Sequence, residues 1–544
     1  MLSYRKLAMR VLGRPLHTGG SDSPRPASQR AAALILTAAM LTTLTAPAFA
    51  KEWYIEEGDI TVRAGETEGT NKVSQGENPE VEDTNTVITN SDKDKASSNT
   101  VTIEAKDKDD KVEVTLKDVN IDTSSRNKAA VSVTGEGNTN IELDGDNALK
   151  SDIYSSGISS SGSLTISGGE NDSLTAQGGS GADGIYSSGS LTISGGTVTA
   201  NGGSSGGGDG GDGIWSSGGV TISGGSTVTA NGGNGKDDYG GDGIYSSGVT
   251  ISGGSTVTAN GGNGGNVSGA GIISDGGVTI SGGTVKAAGG DSKDGYGGDG
   301  IRSGGGVTIS GNTVNAAGGN GGKVGGYGIC SFDRVAISGG TVEAAGGNGS
   351  TGGGSGIYSS VIDLSGSLEL TAKAGSPNGK ALSRAGSELD LDTIKDKLGP
   401  GAKVTATDAN GETKQVSVPR PVEPEKPVIP EESSSSSDGG SATQSAPASP
   451  LPGLTVTDKD GQRISYTSTQ SGNTLTVCVG RFTASLRASL STLRQLRAEG
   501  IDTITFQTIL CSTTLSVDEL LAMGGEDAEA VLTHRLTDSS LTVG

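Results

Sequence analysis

A column of aspartates recurs at one position of a repeated phrase in this 544-residue chain. Each aspartate directly precedes a Gly-Ile pair. The set, called the acidic ladder below, is Asp183, Asp212, Asp242 and Asp299. Asp152 sits similarly in residues 152–157, which are interpreted as an early, imperfect copy of the phrase. Stacked copies would bring these carboxylates close enough to repel one another unless a cation or backbone N–H groups offset the charge. Because calcium prefers carboxylate and carbonyl oxygens, the ladder is a candidate calcium site.

Two observations leave the calcium interpretation open. Asx residues before glycine often cap their own turn, and three copies break the ladder with other residues, at Ala270, Tyr327 and Ser355. Residues 178–186 and 207–215 match the nonapeptide of calcium β-rolls. A β-roll needs that nonapeptide in tandem, whereas here it occurs once per copy. The pattern therefore disfavours a β-roll and leaves isolated calcium sites as the alternative to turn capping.

An aromatic file accompanies the ladder. Its members follow the repeated isoleucines: Tyr154, Tyr186, Trp215 and Tyr245. By strand alternation these rings face outward, where a stripe of rings beside Asp and Ser suits stacking on sugar rings. The alternative is that the rings stack on one another and only stabilise neighbouring copies. The file is interrupted by Ile273, Arg302 and Cys330 before Tyr358.

Catalysis is weakly supported by the residue types present. Histidine occurs only at His17 and His534, so the repeat region contains neither a His-based triad nor a multi-histidine metal site. Paired carboxylates for glycoside hydrolysis stay open, because aspartates are plentiful. A polysaccharide lyase would need a base beside calcium, and the candidates are scattered: Lys293, Arg302, Lys323 and Arg334.

The elements that must position these side chains form a repeat. The isoleucines that mark it are Ile185, Ile214, Ile244, Ile272, Ile301, Ile329 and Ile357, about 28 to 30 residues apart. Within each copy, β-branched residues alternate and Gly-Gly pairs punctuate, which indicates short strands and tight turns. One copy cannot bury its apolar side alone, so stacking is required. The pattern predicts an all-β right-handed parallel β-helix with three short strands per coil.

Glycine has two predicted roles in this repeat. The Gly-Gly corners are expected to supply positive φ where the chain turns between faces. The stretches 204–211, 234–241 and 291–298 vary in composition and are predicted to be loops that project from one corner of each coil.

Composition narrows the function classes. The net charge is −22, and residues 1–50 contain six basic residues and one acidic residue, so the acidity lies in the remainder. Such a surface repels nucleic acid and anionic membranes and can attract divalent cations. The basic start, the apolar segment 31–44 and Ala48-Phe49-Ala50 predict a cleaved signal peptide at 1–50. The apolar segment is shorter than the roughly 20 residues of a spanning helix, so no membrane insertion of the mature chain is expected.

The chain divides into further segments. Residues 51–98 are predicted to form an irregular β cap, 99–418 the β-helix, 419–452 a Pro/Ser/Glu-rich linker, and 453–544 a small α+β domain. In that last domain Leu486, Leu490, Leu493 and Leu496 have the spacing of a helix face. Cys330 is predicted to be a residue of the coil, and whether Cys478 and Cys511 pair is left open.

A family resemblance accompanies this organisation. The segments 114–122, 129–138 and 141–147, followed by the Gly-Ile and Val-Thr-Ile-Ser-Gly-Gly coils to about residue 370, resemble secreted bacterial carbohydrate-binding domain-containing proteins. That family, similar in fold to pectate lyases and associated with calcium, implies non-catalytic binding of polysaccharide. We therefore expect an exported, cell-surface or extracellular glycan binder, with calcium as its candidate cofactor. The alternatives are a structural adhesin or spacer without sugar binding and, less favoured, a polysaccharide lyase.

Overall fold

The structure is a computed structural model that describes residues 51–419 except Glu68, and most of 454–543. Short gaps in the second range fall at 459–461, 465, 472, 480–482, 499, 509–511, 524–528 and 536–537. The predicted signal peptide, the linker beyond Pro419, His17 and Cys511 lie outside the described residues. The described residues form two compact units, divided between positions 422 and 423, and each is described by itself.

The first unit is a parallel β-solenoid of about 13 turns, which confirms the predicted stacking of the repeats. Each turn contributes to three faces, A, B and C. Face A consists of Ile60–Ala64, Val101–Glu104, Val131–Thr134, Ile158–Ser160, Ile185–Ser187, Ile214–Ser216, Ile244–Ser246, Ile272–Ser274, Ile301–Ser303 and Leu382–Arg384. Two longer strands, Ile329–Ile337 and Ile357–Leu364, run from face A into face B.

Face B consists of Glu52–Tyr54, Val87–Thr89, Lys111–Lys117, Asn138–Asp144, Val220–Ser223, Val249–Ser252, Val278–Ser281 and Val307–Ile309. Ser163–Gln177 and Leu191–Asn201 run from face B into face C. Face C continues with Asn120–Asp122, Asp146–Lys150, Thr227–Asn231, Thr256–Asn260, Thr284–Ala288, Asn312–Ala317, Gly340–Ala345, Leu368–Lys373 and Lys403–Thr407. Every internal coil thus hydrogen-bonds to the one before and the one after it.

The core is a narrow column of stacked side chains of the same or similar type. Ile214 pairs with Ile185 on one side and with Ile244 on the other, and all the repeated isoleucines are fully buried. The serine two residues later, such as Ser216, also faces inward and donates its hydroxyl to a glycine carbonyl, here that of Gly189 at 2.9 Å. Alternation with β-branched residues therefore determines which side of each strand is buried.

The glycine pairs serve two physical purposes, and the sequence predicted only one. Between faces B and C, Gly224 and Gly225 have φ of 68° and 72°, the predicted left-handed conformation. At the corner between faces C and A the requirement is space: a Cβ on Gly241 would lie 2.0 Å from the carbonyl oxygen of Gly211. There the backbones of successive coils approach too closely for any side chain.

The predicted loops at this corner are stacked arms. The arms comprise residues 204–211, 234–241, 263–269, 291–298, 320–326 and 348–354. Parallel bridges join consecutive arms, for example Gly235 to Gly264 and Gly264 to Ser292. The arms vary in sequence as predicted, yet their backbones continue the ladder of the solenoid, because glycine allows the same close approach throughout.

Antiparallel strands occur at both ends of the solenoid. Asn71–Gln75 pairs with Ile60–Ala64 and with Val81–Asp83. At the other end Thr413–Ser417 pairs with Lys403–Thr407, and Ser387–Glu388 pairs with Leu382–Arg384. Two 3-10 helices, Ile55–Glu57 and Leu391–Lys397, complete the unit. Residues 51–98, predicted to be a cap, supply this antiparallel pair together with the first parallel strands.

The described part of the second unit contains two four-stranded sheets and two helices. One sheet orders Leu454–Thr457, Thr483–Ser489, Glu529–Arg535 and Asp538–Val543; the other orders Thr467–Ser471, Thr474–Cys478, Thr503–Gln507 and Ser512–Ser516. The helices are Leu490–Ala498 and Val517–Met523. The predicted helix face was wrong in one member: Leu486 lies in a strand, where it alternates inward with Ala484 and Ala488.

No helix among the described residues has the length and apolar character needed to cross a bilayer.

Candidate functional site

The acidic ladder is a chain of hydrogen bonds between coils. Oδ1 of Asp183 accepts the backbone N–H of Asp212 at 2.7 Å, and Oδ1 of Asp212 accepts that of Asp242 at 2.6 Å. Oδ1 of Asp242 accepts the N–H of Ala270 at 2.6 Å, where the ladder is interrupted, and Oδ1 of Asp299 accepts the N–H of Tyr327 at 2.7 Å. Each carboxylate thus caps the turn of the next coil, and not its own turn as the turn-capping alternative supposed.

Burial makes the charged form of these carboxylates unfavourable. Desolvation raises the pKa of Asp183 to about 6 and that of Asp242 to about 7, against an ordinary 3.8. The pKa of Asp212 is raised by burial and by the carboxylates of Asp242 and Asp183 on either side. Burial also raises the pKa of Asp299 to about 6, although Nη1 of Arg302 lies 3.5 Å from its Oδ2. The backbone N–H donors only partly offset this cost.

Few side chains could act as ligands in the predicted calcium site. Among the described residues, no three His, Cys, Asp or Glu side chains converge in the manner of a metal site. The ladder therefore offers a cation at most a pair of neighbouring carboxylates, with the remaining oxygens to come from backbone carbonyls and water.

Three members of the aromatic file, Tyr186, Trp215 and Tyr245, form a continuous stack. The ring centroids of Tyr186 and Trp215 are 4.6 Å apart with an interplanar angle of 4°. Those of Trp215 and Tyr245 are 6.1 Å apart at 3°. Trp215 therefore has a ring against each of its faces. The hydroxyl of Tyr245 donates to Asp275 at 2.8 Å, which raises the tyrosine pKa to about 12.

Tyr154 does not belong to this stack, and the assignment of 152–157 as an early copy of the phrase was wrong. In the structure Ile158, five residues later, pairs with Ile185, and Ser159 pairs with Tyr186. Ile153 and Tyr154 lie on an exposed turn, where Tyr154 has φ 60° and is 84% exposed. Asp152 caps this turn through the N–H of Ile153 instead of extending the ladder.

The missing ring beneath Tyr186 leaves an open cleft of about 460 Å³. Its floor is Ser132 and Ser159, in register below Tyr186. Asp183 and the exposed residues Lys128 and Tyr154 are also part of its lining. The face of Tyr186 that does not contact Trp215 has no other ring against it in the part of the chain described. An aromatic ring, an aspartate, a lysine and several hydroxyl-bearing residues thus line one cleft.

Sequence reasoning found Tyr154, Tyr186 and Asp183 of this cleft but missed Lys128 and Ser159. Ile158-Ser159-Ser160 carries the Ile-x-Ser spacing of the later copies, and this was the signal that could have placed the serine. Nothing local marks Lys128, which approaches the cleft because it precedes the face A strand two coils below Tyr186.

The basic residues considered for a lyase are not gathered at the ladder. Lys293 and Lys323 lie exposed on the arms, and Arg334 forms an ion pair with Asp363. Only Arg302 lies beside a ladder carboxylate, that of Asp299. In the second unit His534 is buried, with its ring nitrogens within hydrogen-bonding distance of Thr508 and Thr513.

Comparison with known proteins identifies no relative. No protein-family model, no curated protein and no solved structure matches the chain.

Proposed function

We propose that this protein binds polysaccharide or glycan through face A of its solenoid, without turnover. One observation carries the proposal: Tyr186 presents an uncovered ring face at the end of a rigid aromatic stack, above a cleft lined by polar groups. A pyranose ring offers an apolar C–H face and a rim of hydroxyls, which complement a ring face and hydrogen-bonding side chains. The stack supports affinity by holding Tyr186 in place before the ligand arrives.

The cleft supplies hydrogen-bond partners of both kinds. Lys128 donates, the carbonyl and carboxyl oxygens around Asp183 accept, and the hydroxyls of Ser159 and Tyr154 do both. The raised pKa of Asp183, about 6, lets its carboxyl exchange between donor and acceptor near neutral pH. Calcium bound by the carboxylates of Asp183, Asp212, Asp242 or Asp299 would offset their charge and add a ligand for sugar hydroxyls.

The cellular setting belongs to the same proposal. We infer export through the signal peptide at 1–50, retention at the cell surface or outside it, and membership of the carbohydrate-binding family that the repeats resemble. A right-handed hand for the solenoid and an α+β character for residues 453–544 are likewise proposed. Polysaccharide lyase activity is the minority alternative, and the appearance of an unsaturated product absorbing in the ultraviolet would establish it.

The test is retention of the full mature chain on glycan arrays and on insoluble polysaccharides. Lys128→Ala and Tyr154→Ala alter exposed side chains of the cleft and should weaken retention while the fold stays intact. Tyr186→Ala should abolish retention. Tyr358→Ala is a matched control, because it removes a stacked tyrosine outside the cleft. The ring centroid of Tyr358 lies 5.0 Å from that of Tyr327. Unchanged retention in Tyr186→Ala would reject the cleft as the binding site.

A second candidate, a structural spacer or adhesin shaft, is favoured by the inter-coil ladders. Besides the rings and aspartates, Asn231 donates to Asn201 and Asn260 donates to Asn231, each at 2.8 Å. Such ladders stiffen a solenoid without involving a ligand. The spacer proposal predicts that no cleft variant changes retention on any glycan, and that loss of the ladders lowers the thermal stability alone.

A further inference from the structure

From the arm 234–241 to the arm 320–326, residue types on the arms alternate with twice the period of the core, as in the column Tyr239, Val267, Tyr296 and Val324. In the core, consecutive coils carry the same or a similar apolar residue at each position, for example Ile214 on Ile185 and Val220 on Leu191. On the arms, Lys236, Asp237 and Tyr239 of one coil are followed by Gly265, Asn266 and Val267 of the next. Lys293, Asp294 and Tyr296 then restore the first pattern. The bridges Tyr239 to Val267 and Val267 to Tyr296 show that these residues occupy successive steps of one column.

The two tyrosines of this column are exposed, unlike the aromatic stack on face A. Tyr239 is 52% and Tyr296 51% exposed, and half-buried Val267 lies between them. Two strand spacings separate their backbones, which is about 10 Å along the solenoid axis. Val267 is too short to cover either ring, so both keep surface available to a ligand.

The backbone holds both tyrosines rigidly. The N–H of Tyr239 donates to Asp209 at 3.1 Å, and that of Tyr296 donates to the carbonyl of Asn266 at 2.8 Å. Hydrogen bonds from Gly240 to Val267 and from Ser268 to Tyr296 continue the ladder between them. The spacing of the rings is therefore a property of the stacked arms, and a ligand that matches it would bind without loop ordering.

A trough on the same arms is bordered by charged residues that repeat with this period. It has a volume of about 670 Å³, and Gly264 and Gly265 form its floor. Lys236 and Asp237 border one side, and Lys293 and Asp294 border the other. Among the described residues neither lysine has an ion-pair partner, so both ammonium groups are available to donate hydrogen bonds to a ligand. Each side offers a strong donor next to a strong acceptor.

We propose that the arms are a second binding site, which takes a neutral β-1,4-linked polysaccharide. The polysaccharide would lie along the solenoid axis, with sugar rings on Tyr239 and Tyr296. In such a polysaccharide each sugar ring is turned over relative to the one before it, so the chain repeats every two sugars. The length of this repeat is comparable to two coil spacings. This inference rests on the proposed glycan binding but concerns a surface separate from the cleft at Tyr186.

Other polymers fit the arms less well. An extended peptide strand repeats every two residues, about 7 Å, and would lose register with rings about 10 Å apart. A polyanion would be repelled by a chain of net charge −22, with Asp237 and Asp294 beside the lysines. A neutral polymer with hydroxyls on its rim satisfies both the lysines and the aspartates.

Isothermal titration of the full mature chain with oligosaccharides tests the proposal. Cellohexaose is long enough to reach both tyrosines, cellobiose reaches one, and maltohexaose has the same sugars in an α-linked, curved chain. We expect cellohexaose to bind at least about tenfold more tightly than the other two. Tyr239→Ala and Tyr296→Ala should each weaken cellohexaose about 3- to 10-fold and leave cellobiose little changed.

The variants separate this inference from the proposed function. If Tyr186→Ala abolishes cellohexaose binding while the Tyr239→Ala/Tyr296→Ala double variant binds normally, the arms are not a site and the cleft proposal stands. If only the double variant loses binding, the arm site stands and the cleft proposal fails. Equal affinity for maltohexaose would overturn the arm proposal. Self-association of the parent chain in sedimentation experiments, if the double variant abolished it, would also overturn the arm proposal. A second copy of the chain would then cover Tyr239 and Tyr296.

Discussion

Tyr186 and Trp215 stack nearly parallel, one coil apart, with their ring centroids separated by 4.6 Å. This distance is close to the spacing of hydrogen-bonded strands, about 4.8 Å, so the backbone ladder itself sets the ring separation. The consequence differs along the file. Trp215 is enclosed by two rings, whereas Tyr186 has a ring on one face only. Trp215 therefore supports the stack through two contacts, whereas the open face of Tyr186 is the one proposed to bind sugar.

Replacement of Trp215 by alanine should destabilise the solenoid. Two stacking contacts are lost, so we expect the free energy of unfolding to fall by about 1–3 kcal/mol. Denaturant titration, followed through the unfolding transition of the solenoid, measures this change in free energy. Tyr154→Ala, which removes a ring that is 84% exposed, is the control and should leave stability unchanged. Equal stability of Trp215→Ala and the parent chain would show that the stack is not structural.

Replacement of Asp242 by asparagine should stabilise the protein at neutral pH. The folded carboxyl titrates at about 7 and the unfolded one near 3.8, because burial disfavours the charge. Between these values the folded state binds more protons, so the free energy of unfolding decreases as pH rises. Asparagine keeps the oxygen that accepts the N–H of Ala270 without the charge.

The expected gain is about 1–3 kcal/mol at pH 7.5 and none at pH 3.5. Melting temperatures across this pH range provide the measurement. Asp237→Asn, an exposed change of the same charge, should have little effect at either pH. A loss of stability in Asp242→Asn at pH 7.5 would mean that the ionised carboxylate is needed there.

Calcium should compete with protons for the ladder. At pH 8 the carboxylates of Asp212 and Asp242 face each other across one coil, and a divalent cation would offset their repulsion. Millimolar calcium should then raise the melting temperature, and a chelator should lower it. At pH 4.5, where the carboxyls are protonated, neither should act. Indifference to both reagents at pH 8 removes calcium from the proposed function.

The glycine corner beside the arms should not tolerate a methyl group. A Cβ on Gly241 would lie 2.0 Å from the carbonyl oxygen of Gly211, so successive coils would have to separate. We expect Gly241→Ala to cost at least about 3 kcal/mol or to prevent folding. A Cβ on Gly207, at the tip of an arm, meets nothing within 4 Å, so Gly207→Ala should be neutral. Circular dichroism and thermal melts distinguish the two, and equal stability would contradict the close approach.

The amino-acid sequence was sufficient for the coil itself. The spacing of Ile214 and Ile244, with alternating β-branched residues between corners, admitted only stacked strands with the isoleucines inward. It also placed Tyr186, Trp215 and Tyr245 in one outward column. These properties follow from local alternation, which has a period of two residues and depends little on distant parts of the chain.

Register and ring exposure depended on the tertiary structure. Ile153 resembled the repeat locally, but Ile158 occupies the core, because the choice is made by pairing with Ile185 in the next coil. The arms looked like loops until their glycine backbones were seen to bridge, and the alternation of Tyr239 with Val267 has meaning only once those residues are neighbours. Contacts between residues about 30 positions apart set these features, and no local pattern encodes which face of a ring they leave open.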